Sequence, residues 1–132
     1  MSTDDHIEMR ACVLREPGAI ATETVRLGAP RTGEVRVQLA AAGVCHSDMH
    51  LAEGKLGGGR CPIVLGHEGA GIVDAVGEGV KHVAAGDHVV LAMVGPCGQC
   101  DACRRGNRTL CEPAGSRSLA GAMVDGTSRL TG

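Results

Sequence analysis

Four stretches of the chain alternate apolar and polar side chains or run apolar for a few residues: Ala11 to Leu14, Glu34 to Ala40, Ile72 to Val76 and His88 to Ala92. Period-two patterning over so short a span predicts strands. Turn signals separate them at Glu16-Pro17-Gly18, Gly28-Ala29-Pro30-Arg31-Thr32-Gly33, Gly57-Gly58-Gly59 and Gly77-Glu78-Gly79, where Gly supplies positive φ and Pro fixes its own. Helical pieces are few. Ser47 to Glu53 predicts a short helix with Ser47 as N-cap, and Cys100 to Arg105 predicts another turn or two. Near the end, Gly126-Thr127-Ser128-Arg129-Leu130 reads as a turn leading into a strand with no partner left to pair with, so the chain is expected to end inside its fold. The predicted class is mainly β.

Composition changes this picture in two ways. The chain of 132 residues is 43% hydrophobic yet contains no Phe, Tyr or Trp, so the core must be built from Val, Leu, Ile, Ala and Met. Aromatic side chains carry much of the burial in ordinary cores, and without them the stability margin should be thin. There are also seven cysteines, an odd number, in a chain whose polar, acid-leaning start (Met1 to His6) does not resemble a secretory signal. Reduced thiols in a cytoplasmic setting point to metal binding or catalysis rather than to disulfides. With 13 basic against 15 acidic residues there is no bias toward a nucleic-acid partner, and no apolar run is long enough to span a membrane.

The candidate chemistry begins with Cys97-x2-Cys100-x2-Cys103-x7-Cys111. Tetrahedral zinc takes four thiolates at about 2.3 Å, and two-residue spacers suit a tight turn whose backbone N–H groups face the sulfurs. Gly95, Gly98 and Gly106 would permit the dihedrals of such a loop, while Arg104, Arg105 and Arg108 are expected to offset the cluster's negative charge. Two other readings stand beside this one. The thiols could be ordinary buried side chains, or the first three could open an iron–sulfur pattern of the bacterial ferredoxin kind. That pattern continues with three residues and Cys-Pro, whereas here the gap is seven and Glu112 precedes Pro113. Cys12 and Cys61 belong to no motif and are expected to be small buried hydrophobes, and His6, His82 and His88 are expected to be plain surface or core side chains.

A second constellation comprises Gly43-Val44-Cys45-His46-Ser47-Asp48-Met49-His50 and, downstream, Gly66-His67-Glu68-Gly69-Ala70-Gly71-Ile72-Val73-Asp74-Ala75-Val76-Gly77-Glu78-Gly79-Val80. The latter resembles the signature of the zinc-dependent medium-chain alcohol dehydrogenases. The likeness extends from Met9-Arg10-Ala11 through Gly33-Glu34-Val35 and Gly86-Asp87-His88-Val89-Val90 to the cysteine lobe, and so covers nearly the whole chain. It implies a GroES-like, partly open β-barrel over 1–132 with short helices, a structural-zinc lobe at 95–113 and no Rossmann cofactor domain. The fold would be incomplete at its C-terminal end.

The resemblance also implies roles, residue by residue. Cys45 and His67 would hold a catalytic zinc, with Glu68 beside it coordinating transiently; Cys97, Cys100, Cys103 and Cys111 would hold a structural zinc. Asp48 would accept the free ring N–H of His67 and so fix its tautomer. His46 would approach the pyrophosphate of NAD or NADP, and Ser47 and His50 would carry the proton of the substrate hydroxyl. The implied activity is oxidation of a small alcohol to an aldehyde or ketone by hydride transfer, in a homo-oligomer. Two parts of the family's machinery are not among these residues: a third catalytic cysteine falls beyond Gly132, and no Gly-x-Gly-x-x-Gly follows a strand and opens a helix. The catalytic site is therefore expected to hold zinc less tightly than the four thiols. The alternative is a zinc-binding or interaction module without turnover, and a GroES-like co-chaperone is the weaker third reading.

Overall fold

The longest pairing is the hairpin of β1 (His6–Glu16) and β2 (Ala19–Gly28), which turns at Pro17 and Gly18, the latter at φ 84°. The structure is a computed structural model and describes residues 6–56 and 60–132; the turn expected at Gly57-Gly58-Gly59 and the residues before His6 lie outside that range. Antiparallel register sets Met9 opposite Val25 and Val13 opposite Ala21, so one face of the hairpin gathers Ala11, Val13 and Val25 into a small core with Met9, Val64 and Leu130 against it. β2 exceeds the strands expected from sequence. Thr22, Glu23 and Thr24 dilute its apolar pattern, and pairing to β1 along its whole length supplies what the pattern lacks.

Two short strands extend this hairpin. β4 (Ile63–Val64) pairs with β1, and β7 (Leu130–Thr131) pairs with β2 through Leu27 and Leu130, giving the order β4-β1-β2-β7. The final apolar pattern thus has a partner, contrary to expectation, because the strand it pairs with is the one the sequence pattern left out.

The other sheet is β3 (Val35–Gly43), β5 (Glu68–Val76) and β6 (His88–Val90), with β5 central and every pairing antiparallel. β6 is shorter than the predicted His88 to Ala92, although the Leu91 N–H still donates to the Gly69 carbonyl at 2.8 Å. Two glycines permit close backbone approach here. A Cβ on Gly71 would strike the Gln38 carbonyl at a bulge in β3, and one on Gly77 would strike the Arg31 carbonyl. Val73 of β5 and Leu14 of β1 are among the largest fully buried side chains, which shows how modest an aromatic-free core is.

The helices are short: α1 (His46–Ala52), α2 (Asp101–Arg104) and α3 (Glu112–Leu119), with a 3-10 turn at Arg108–Leu110. Cys45, not Ser47, is the N-cap of α1. The helix end is tied to the first hairpin, since the Gly18 N–H donates to the Ala52 carbonyl at 2.7 Å. The sequence reading did not include α3; Pro113 in its first turn and the polar run Gly115-Ser116-Arg117-Ser118 hide it from an apolar-periodicity test. Among the described residues no helix is long and apolar enough to cross a membrane.

Candidate functional site

The register of β3 against β5 assembles the first cluster. Gly43, the last residue of β3, pairs with Glu68, the first of β5, so Cys45 just beyond one strand and His67 just before the other arrive at the same end of the sheet. Ligand atoms of Cys45, His67 and Glu68 all lie within 4.8 Å of one another; Cys45 and His67 are half-buried and Glu68 is exposed. Gly43 makes room for them, because a Cβ there would collide with the Glu68 carboxylate. That spatial role was not assigned from sequence.

Asp48 is the buried charge of this site, with 7% of its surface exposed. Its Oδ2 accepts the Cys45 N–H at 2.9 Å, and its Oδ1 lies 3.3 Å from His67 Nδ1. One carboxylate therefore fixes both the start of α1 and the direction of the imidazole, leaving His67 Nε2 turned toward Ser47 Oγ at 3.5 Å. The Ser47 hydroxyl, then its backbone N–H and the His67 ring, lower the Cys45 thiol pKa. The same Cys45 contact raises His67, with Asp48 adding to it against burial. His46 and His50 stand one turn apart on the other face of α1, His46 exposed and His50 half-buried.

The second cluster sits on a lobe between β6 and α3. Sγ atoms of Cys97, Cys100, Cys103 and Cys111 lie within 4.8 Å of one another. Cys100 caps α2 and Cys111 caps α3, so two helix starts position two of the thiols. The Cys100 N–H points at Cys97 Sγ and the Cys97 N–H at Cys111 Sγ, both at 3.3 Å. Cys100 and Cys111 sulfurs are 3.9 Å apart. A zinc with bonds of about 2.3 Å in tetrahedral geometry sets its sulfurs about 3.8 Å apart, so these residues fit the ion.

The lobe's electrostatics come from its backbone. N–H groups of Gln99 and Cys100 bring the Cys97 pKa down to about 6, while burial pushes Cys103 up to about 11. Arg104, Arg105 and Arg108 of the same loop are exposed, and the causes of these shifts lie in backbone N–H groups, burial and the neighbouring thiols. Gly98 and Gly106 do adopt positive φ, at 77° and 86°, whereas Gly95 does not.

Other expectations need correction. Cys12 and Cys61 are exposed, not buried. On β1 the side chains alternate, and with Ala11 and Val13 turned into the core Cys12 must face outward. His6, His82 and His88 are exposed, in keeping with the surface reading of them.

Residues 31–129 match the alcohol dehydrogenase GroES-like domain family. The chain belongs to that family. This alcohol dehydrogenase GroES-like domain is 48% identical over 111 residues to alcohol dehydrogenase B of Mycobacterium tuberculosis, covering 83% of this chain and 29% of that protein. It is 43% identical over 112 residues to an alcohol dehydrogenase class-3 of Drosophila melanogaster, covering 85% of this chain and 30% of that one. Among solved structures, an alcohol dehydrogenase zinc-binding domain protein from Burkholderia ambifaria superposes with a TM-score of 0.88 at 42% identity, over 96% of this chain and 34% of that chain. The domain thus spans about a third or less of the length of these relatives. Its mainly β, partly open barrel with few short helices is the GroES-like fold of these zinc-type alcohol dehydrogenases.

Proposed function

We propose that this chain forms the zinc-holding part of an alcohol dehydrogenase that oxidises a small alcohol to an aldehyde or ketone, with hydride passing to NAD or NADP. The observation that carries this reading is the convergence of Cys45 and His67 at the β3–β5 junction, with Asp48 on the far nitrogen of the imidazole. Cys45 and His67 would hold a zinc ion, with Glu68 beside it, and Cys97, Cys100, Cys103 and Cys111 a second, structural one. At the first site bound zinc supplies Lewis acidity to the alcohol oxygen.

The chain's own residues have separate tasks in this reading. Asp48 orients His67 and fixes its tautomer through Nδ1. The Ser47 hydroxyl, close to the inward nitrogen of His67, takes the substrate hydroxyl proton. His50, half-buried at the helix surface, releases that proton to solvent. His46 reaches toward the cofactor pyrophosphate. In this reading the lobe at 95–113 braces the domain within the span 1–132, seven free cysteines support a cytoplasmic setting, and the full-length protein is a homo-oligomer.

Cobalt(II) replacing zinc tests the assignment. A primary alcohol added to the cobalt-loaded chain should shift the ligand-field bands in the native protein and not in Cys45→Ser. A shift that persists in Cys45→Ser, or no cobalt at that site, overturns it. The second reading, a zinc-binding module without turnover, is favoured by the three-donor composition of the Cys45 cluster among the described residues. Adding alcohol and NAD and following reduced cofactor separates the two; turnover abolished by Cys45→Ser excludes the module.

A further inference from the structure

Gly43 is glycine for reasons of space and not of backbone shape. Its φ lies outside the left-handed region, so an L side chain could adopt the same conformation. What a side chain would meet is Glu68, the cross-strand partner of Gly43. A Cβ built on Gly43 would overlap Glu68 Oε2 and lie 3.2 Å from the Glu68 Cβ and 3.3 Å from its Cδ, with no backbone atom among these nearest neighbours. Gly71 is the opposite case, since a Cβ there would strike the Gln38 carbonyl and the Leu39 Cα. The Glu68 carboxylate thus lies in the space that any other residue at position 43 would fill.

That carboxylate has no other task within the domain. Glu68 is exposed, and among the described residues its carboxylate accepts no hydrogen bond and joins no ion pair. One of its oxygens nevertheless lies within 4.8 Å of Cys45 Sγ and of a ring nitrogen of His67. No hydrogen bond holds it beside these two ligands; the gap over Gly43 admits it there. Carboxylate oxygen is an ordinary donor to zinc, alongside thiolate and imidazole.

We infer that Gly43 is a positioning residue for this metal centre: its missing side chain lets the Glu68 carboxylate reach the ion held by Cys45 and His67 and so adds to the affinity of the site. The inference rests on the zinc reading of the Cys45 cluster. Because the atom in the way is the far end of a flexible side chain, alanine at position 43 should keep β3 paired with β5 and turn the carboxylate aside.

The test titrates Co²⁺ into the full chain with its four-thiol site already filled by zinc, and follows the ligand-field bands that Cys45→Ser abolishes. Gly43→Ala and Glu68→Gln should each raise the cobalt dissociation constant about tenfold. The double variant should bind no more weakly than Glu68→Gln alone, because both changes remove the same carboxylate, whereas a packing defect at position 43 would add to the loss. Far-UV circular dichroism of Gly43→Ala should match the native chain; a lost strand signal would show a structural role and overturn the assignment. Cobalt affinity unchanged in Gly43→Ala or in Glu68→Gln, or additive losses in the double variant, would also overturn it, while the bands of the native chain left the zinc reading intact. Absence of those bands from the native chain overturns both.

Discussion

Arg129 grips Glu34 with two parallel hydrogen bonds, Nε to Oε2 at 2.9 Å and Nη2 to Oε1 at 2.6 Å, across 95 positions of sequence. Their side chains are 8% and 11% exposed. The same guanidinium reaches Asp125 at 2.6 Å, and Arg31 reaches Asp125 at 3.1 Å, so the loop before β3 is clasped to the segment that leads into β7. Arg129→Leu should therefore lower unfolding free energy by about 2 kcal/mol, as expected for charge-assisted bonds removed from a largely dry pair. Urea unfolding followed by far-UV circular dichroism checks this. Arg129→Lys should recover only part of the loss, because an ammonium cannot bond both carboxylate oxygens in parallel.

The clasp also sets a pH dependence. Glu34 and Asp125 are both held below the ordinary carboxylate range, chiefly by hydrogen bonds from the Arg129 guanidinium. A carboxyl group with a pKa lower in the folded than in the unfolded state contributes stability that is fully present above the unfolded value. That stability disappears as pH falls through the folded value. Stability should accordingly drop below pH about 4.5. In Arg129→Leu that acid limb should be shallower while the plateau near neutrality is lower. Equal slopes for the two proteins would contradict the account.

Gly77 is a sharp test of the second sheet. Its added Cβ would overlap the Arg31 carbonyl, and its N–H donates to the Glu34 carbonyl at 2.8 Å. Gly77→Ala should cost about 1–3 kcal/mol through forced backbone shift. Gly95→Ala, where a Cβ meets nothing within 4 Å and φ is ordinary, should be close to neutral. The pair of denaturation curves reads out the difference.

Zinc titrated into metal-free protein should fill one tight site and at most one weak one. Cys111→Ser should abolish the tight one, since it removes a ligand and the sulfur that accepts the Cys97 N–H. Cys45→Ser should touch only the weak one. Competition with a chromogenic chelator measures both affinities, and two equally tight sites would contradict the ranking.

Much of this arrangement was legible because spacing along a chain and chemistry at a metal constrain each other closely. Four cysteines within fifteen residues, and a histidine at the head of a strand, announce themselves without coordinates. What stayed hidden depends on partners far away in sequence. β2 reads poorly alone and becomes a strand because β1 lies alongside it. β7 is two residues long and exists through Leu27. Cys12 follows its β1 neighbours to the outer face, a matter of register rather than residue type. Arg129 and Glu34 look like any surface charges until the loops close.

The aliphatic core has an optical consequence. A chain with no Phe, Tyr or Trp is nearly dark in the near ultraviolet. Bands from cobalt thiolates, or from a nicotinamide ring, therefore rise from an almost empty baseline. Each ligand can be counted on the native protein by its own colour.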